Sequence, residues 1–292
     1  MNKYFEIDLG DETPASVFVK LRSLSPSFLL ESIERGVDQS RYSFLGLGVS
    51  SVVEVNQGSF SFNGETIASP KSQDEMMELF RNVLKDLPDL NPQIQGIPFS
   101  GGIVGFSSYD MVRYFESLPV EESKDGLLNP PDCAYLAPLS LLVFDHEDNS
   151  MALLHSGEED DRNKLKTNIL ELLKAAISAS TDQNCSYSQP TANVEEEVFN
   201  KAVEKAKHHI FEGDIFQIVL SIAFSGNYSL DPFDVYRAMR LVNPSPYMFF
   251  CDINGFQVVG SSPEALVRFC LLYTSPSPRD ATLSRVAWWG WK

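Results

Sequence analysis

The chain predicts an α+β fold with antiparallel sheets, on two observations. Short β-prone runs are joined by tight turns, two of them centred on the Asn-Gly pairs Asn63-Gly64 and Asn254-Gly255, a strong short-range hairpin signal. Helical patterns stand between blocks of strands, which favours segregated antiparallel sheets over a doubly wound parallel one. No internal repeat is visible.

Taken in order, residues 14–22 predict a short helix. Pro26 leads into a strand over 28–32, and residues 41–48 and 51–55 predict two more. Asn56-Gln57-Gly58 is a turn, and residues 59–62 alternate before Asn63-Gly64. The first region therefore predicts an antiparallel meander. Ser72 with Glu75 has the spacing of a capping box. Met76, Met77, Phe80, Val83, Leu84 and Leu87 follow at helical spacing, and Pro88 is the stop. Gly101-Gly102 precedes an apolar stretch, and residues 107–115 predict a short helix. Residues 116–131 mix charge, Gly and Pro and predict an exposed loop.

Residues 135–144 are apolar enough for one strand, which residues 145–149 turn back into another over 150–155. Residues 160–177 predict an amphipathic helix with Leu165, Ile169, Leu172, Leu173 and Ala176 on one face. Residues 178–193 are rich in Ser, Thr, Gln and Asn and predict a mobile surface connection. Asn193 with Glu196 is a second capping-box candidate, for a helix that runs to Phe211 and ends at Gly213. Residues 215–224 predict a strand and residues 231–242 a helix. Residues 247–253 and 256–260 predict a strand pair.

Composition narrows the function class. The 292 residues allow two domains or one large one. With 43 % hydrophobic and 22 % charged residues the chain suits a soluble globular protein. A formal net charge of -17 argues against binding nucleic acid or an anionic membrane surface. No run of 18 apolar residues is present, so no membrane span is expected, and residues 1–10 do not form a signal peptide. The cysteines, Cys133, Cys185, Cys251 and Cys270, are scattered without a CxxC pair, which fits a reducing compartment, the cytoplasm. The histidines form neither HExxH nor a Cys/His cluster. The text changes character after Phe269. All three tryptophans fall in the last five residues, and Pro276 and Pro278 interrupt any regular element. Residues 270–292 are expected to be a non-native tail.

Three segments carry possible chemistry. In a strand from Ile215, Gln217 would share a side with Val219 and Ser221, as a pocket amide or as an edge residue in solvent. Gly260-Ser261-Ser262-Pro263-Glu264 offers backbone N–H groups and a carboxylate at a strand tip, for an anion, for proton transfer or for a plain cap. Asn243-Pro244-Ser245-Pro246-Tyr247 is stiffened by its prolines, as a ligand wall or as a helix stop. No glycine-rich phosphate loop, GxSxG or triad accompanies them.

These segments occur in a telling order. Leu29-Leu30-Glu31-Ser32, Arg41-Tyr42-Ser43-Phe44, Gly213-Asp214-Ile215-Phe216-Gln217, Asn243-Pro244-Ser245-Pro246-Tyr247-Met248 and Gly260-Ser261-Ser262-Pro263-Glu264 are ordered as in component I of anthranilate synthase. Gly101-Gly102 through Asp110-Met111-Val112-Arg113 is also similar to that family. The resemblance spans residues 5–269 and points to the chorismate-utilising enzymes. It implies an α/β sandwich, two antiparallel sheets between outer helices, here truncated on the C-terminal side. It divides the chain into an N-terminal part (1–177), a linker (178–193) and the start of a chorismate-binding domain (194–269).

The implied reaction converts chorismate and ammonia to anthranilate and pyruvate. Ammonia would come from glutamine through a partner amidotransferase subunit, component II. Mg²⁺ would hold the substrate's carboxylate, as suits a hard cation. Gln217 falls where water-adding relatives carry a basic lysine. An amide cannot take a proton, which suits ammonia as the nucleophile. Glu264 resembles the family's general acid, a role that needs a raised pKa. Leu30, Glu31, Ser32, Tyr42, Asn243, Pro244, Ser245, Tyr247 and Met248 map onto the family's feedback site for L-tryptophan. The family's glycine-rich segment, catalytic histidine and metal-binding glutamates are not found after Phe269, so the chain itself is expected to be inactive and to lack metal ligands. The alternatives are the large subunit of aminodeoxychorismate synthase and a non-catalytic fragment that binds tryptophan or the amidotransferase.

Overall fold

A computed structural model describes residues 4–33, 41–116, 129–175 and 186–265. The expected tail, residues 176–185 of the helix end and linker, and most of the 116–131 loop lie outside them. The described residues form helices and three antiparallel sheets.

The chain opens with a two-residue strand β1 (Ile7–Asp8) and helix α1 (Pro14–Lys20). Thr13 caps α1 reciprocally with Ser16, and Pro14 sits at the first helical position, where no N–H is needed. Strands β2 (Pro26–Glu31) and β3 (Tyr42–Leu47) follow, then β4 (Ser51–Asn56), β5 (Ser59–Phe62) and β6 (Glu65–Ala68). At Asn63-Gly64 both residues have positive φ, 52° and 83°, as a two-residue hairpin turn requires. Helix α2 (Gln73–Asp86) is capped by Ser72, which accepts the Glu75 N–H at 3.2 Å, while the Glu75 carboxylate reaches back to the Lys71 N–H. Strand β7 (Val104–Ser107) precedes a 3₁₀ turn over Tyr109–Tyr114.

Strands β8 (Cys133–Ala137), β9 (Ser140–Asp145) and β10 (Ser150–His155) lead to helix α3 (Glu159–Lys174). After the gap come β11 (Thr191–Ala192), α4 (Glu196–Glu212), β12 (Phe224–Ser225), α5 (Pro232–Val242) and the hairpin β13 (Tyr247–Ile253) and β14 (Phe256–Ser262).

The seven-stranded sheet runs β1-β10-β9-β3-β2-β13-β14 and the five-stranded sheet β6-β5-β4-β8-β7. Their facing sides enclose a core that includes Phe28, Phe44, Leu136, Leu141, Val143 and Leu154. The outer face of the large sheet packs α1, α3 and α5 through Val17, Phe18, Ile169, Phe233 and Tyr236. The outer face of the small sheet packs α2 through Met76 and Val83. The layers are therefore helix, sheet, sheet, helix, the sandwich that the resemblance implies.

Four expectations are corrected. The first region is not one meander, because β2 and β3 join the large sheet and β4 to β6 the small one. The strand expected over 135–144 is two strands in different sheets, broken at Pro138, whose missing N–H cannot continue a ladder. Asn193 does not cap α4: its side chain accepts the Ala223 N–H at 3.0 Å, and Glu195 stands at the cap without a side-chain bond. The strand expected over 215–224 shrinks to Phe224–Ser225. Among the described residues no strand pairs with 215–220, and an isolated strand leaves its ladder groups unpaired.

Candidate functional site

The two segments singled out at residues 29–32 and 243–248 are far apart in sequence and adjacent in space. Strand β13 pairs antiparallel with β2, so that Met248 lies opposite Glu31 and Phe249 opposite Leu30. Just beyond, the Ile33 N–H donates to the Ser245 carbonyl at 3.3 Å. Sequence patterning brings this about. Asp231 caps α5 by accepting the Phe233 N–H at 2.9 Å, and Pro232 starts the helix. Asn243 ends it, its N–H bonded to the Met239 carbonyl, and the two prolines that follow stiffen the chain into β13.

Strand alternation splits the candidate residues between two faces. Leu30 and Tyr42 pack on the core between the sheets, whereas Met248 belongs to the helix-side core and Glu31 faces α5. The Tyr42 ring lies under the Arg41 guanidinium, 5.1 Å from its centroid. Arg41 in turn grips the buried Asp145 through Nε and Nη2. Ser245 is buried, while Asn243, Pro244 and Tyr247 are exposed. The Ser32 hydroxyl oxygen is buried and has no hydrogen-bond partner among the described residues.

Glu31 is 6 % exposed and its carboxylate is engaged. It accepts the Tyr236 O–H and, at 3.0 Å, an N–H of Arg240 Nη2. The Arg240 Nε stands 2.9 Å from the other oxygen, an ion-pair contact without hydrogen-bond alignment. Burial raises the Glu31 pKa and is opposed by Arg240 and by the Tyr236 bond. Burial and the Glu31 carboxylate together push the Tyr236 hydroxyl far above its ordinary value. Sequence reading missed Tyr236 and Arg240. Their only signal is a four-residue spacing that puts both on one face of α5.

The catalytic candidates do not converge with this network. Gln217 is exposed in the irregular segment after α4, flanked by exposed Phe216, Ile218 and Val219. Glu264 is exposed just past β14, and its backbone carbonyl accepts the Ser262 hydroxyl at 3.0 Å. Its segment nevertheless touches the other one: Ser262 pairs with Tyr247, Ser261 pairs with Met248, and the Ser261 hydroxyl donates to the Asn243 carbonyl at 2.6 Å. Among the described residues no group of three or more His, Cys, Asp or Glu side chains could hold a metal ion. Nor is any helix among them long and apolar enough to cross a membrane.

Comparison with known proteins adds the family. The family of chorismate binding enzymes matches residues 29–270. The chain is 37 % identical over 272 residues to anthranilate synthase component 1 of Thermus thermophilus, covering 91 % of the chain and 56 % of that protein. It is 35 % identical over 286 residues to anthranilate synthase component 1 of Acetivibrio thermocellus, with 90 % and 56 % covered. It thus spans just over half the length of these curated relatives. The crystal structure of anthranilate synthase component I from Streptococcus pneumoniae superposes with a TM-score of 0.62 at 25 % identity, over 89 % of this chain and 58 % of that one. The chain belongs to the chorismate binding enzyme family.

Proposed function

We propose that this chain is the front part of an anthranilate synthase large subunit and carries that enzyme's feedback site for L-tryptophan. The observation that supports the reading best is the pairing of β2 with β13. It sets Glu31 opposite Met248 and Leu30 opposite Phe249, and the Ile33 N–H reaches the Ser245 carbonyl, so that residues 30–33 run beside the segment 243–248 that we assign with them to the site. The relatives' name, anthranilate synthase component 1, and the family's description support anthranilate formation from chorismate. Pyruvate as co-product, ammonia from a partner amidotransferase and Mg²⁺ in the whole enzyme belong to our reading of the resemblance. The cytoplasm is the compartment we propose.

In this reading Gln217 marks the amine-adding branch, because an amide has no basic site to activate water and ammonia needs none. Glu264 would protonate the leaving hydroxyl. That role needs enclosure to hold a proton at neutral pH, and Glu264 is exposed here. The contact of the Glu264 segment with Asn243 and Tyr247 offers a short route from inhibitor to acid. Inhibition would follow only if inhibitor and substrate favour different states.

Two measurements test the reading. Calorimetry of residues 1–292 with L-tryptophan is expected to give saturable binding, and silence would remove the feedback site from the proposal. Anthranilate fluorescence after adding chorismate, ammonium and Mg²⁺ is expected to stay at background. Turnover by the purified chain would overturn the view that it is catalytically incomplete.

A further inference from the structure

Tyr236 and Arg240 stand one turn apart on α5 and both close on a single carboxylate, that of Glu31 at the end of β2. Helix α5 leads directly into Asn243 to Met248, the other half of the proposed site. The Glu31 carboxylate therefore ties the end of β2 to the helix that positions its partner segment. Below this tie lies the Met248 pairing with Glu31, and beyond it the Ile33 N–H contact with the Ser245 carbonyl.

We propose that Tyr236 and Arg240 are positioning residues. They hold Glu31 as a buried strut that sets the spacing of the two segments, and Glu31 does not itself bind the ligand's α-ammonium group. The proposal rests on the reading that these segments form an amino-acid site. Glu31 is almost wholly buried and already faces a cation and a hydroxyl donor. An incoming ammonium would have to evict Arg240, leaving a guanidinium without its counter-charge in a site where Arg240 is itself largely covered. Breaking a buried pair by removing one partner is strongly unfavourable. A backbone carbonyl offers an ammonium an acceptor without that cost.

Hydrogen exchange tests the strut without any ligand. In the full chain, Tyr236→Phe and Arg240→Met are expected to speed exchange of the Ile33 amide by about tenfold relative to the Leu142 amide in the interior strand β9. Arg240→Lys, which keeps the charge, is expected to restore most of the protection. Unchanged Ile33 protection in Arg240→Met would overturn the proposal. If that variant does not fold, an Arg240→Lys chain that folds but exchanges Ile33 as fast as Tyr236→Phe would overturn it too. The ligand arm compares L-tryptophan with indole-3-propionate, which lacks the ammonium. Glu31→Gln is expected to weaken both by the same factor. Loss of L-tryptophan alone would make Glu31 the ammonium's partner and sink the strut. If the wild-type chain binds neither, the amino-acid site fails, and the exchange measurements still decide whether the strut exists.

Discussion

At the scale of single residues, close approach and burial make two sets of side chains sensitive. Gly46 lies opposite Phe28 across β2 and β3, and a Cβ there would meet the Phe28 ring at 2.3 Å. Gly260 stands in the same relation to Phe249, at 2.0 Å. Gly46→Ala must push an aromatic ring out of the core between the sheets, a loss of roughly 1–3 kcal/mol by overpacking. Urea unfolding is the check, and an unshifted midpoint would contradict the geometry. Cys133 and Cys251 are buried, and burial pushes both thiols up to about 12. Neither should react with iodoacetamide at pH 8 in the native chain, because the thiolate is the nucleophile. Peptide mapping after brief alkylation tests this, and modification of either cysteine before unfolding would refute it. The same elevation has a sign for stability. The unfolded thiols ionise first as pH rises from 9, so the stability they contribute is present below pH 9 and is lost towards pH 12.

At the scale of elements, α5 is the piece on which the candidate site hangs. Phe233 stacks on Phe18 of α1 with centroids 3.7 Å apart and meets Phe250 of β13 edge-on at 5.2 Å. Phe233→Ala should cost about 3–5 kcal/mol, the range for a large aromatic lost from a core. The cap is worth less. Asp231→Ala should cost about 1 kcal/mol through the lost bond to the Phe233 N–H. The Asp231 pair with Arg22 is solvent-accessible and should add little. Thermal melts of the two variants should rank in that order, and equal shifts would mean that α5 is held elsewhere. Most of these elements were legible beforehand. The cap at Ser72, the stop at Gly213 and the Asn-Gly turns are local signals with local causes. The break at Pro138 was legible too but was overridden by the apolar run around it. Residues 215–220 carry an apolar run that reads as a strand, yet strand formation needs a neighbour that no single segment encodes.

At the scale of the molecule, two sheets bury their faces against each other and against α1, α2, α3 and α5, but not every apolar side chain is covered. Helix α4 buries one residue, Ala206. Phe211, Phe216 and Val219 are each at least 70 % exposed. Such surface promotes association, even against the self-repulsion of a net charge of -17. Light scattering should show concentration-dependent association of the purified chain, and Phe216→Ser with Val219→Ser should reduce it. A monodisperse monomer at high concentration would show instead that this surface is harmless.

Local patterning alone specified the helices, the hairpins, the α+β class and the ordered motifs that carry the family. Each depends on residues within a few positions of one another. Sheet membership, the faces to which Leu30 and Glu31 point, and the contact of Glu31 with Tyr236 and Arg240 were settled only by the tertiary structure. They depend on strand pairs and helix contacts between residues distant in sequence. Glu31, which the resemblance places only as one residue of an amino-acid site, becomes, once α5 folds across β2, a carboxylate whose partners are already in place.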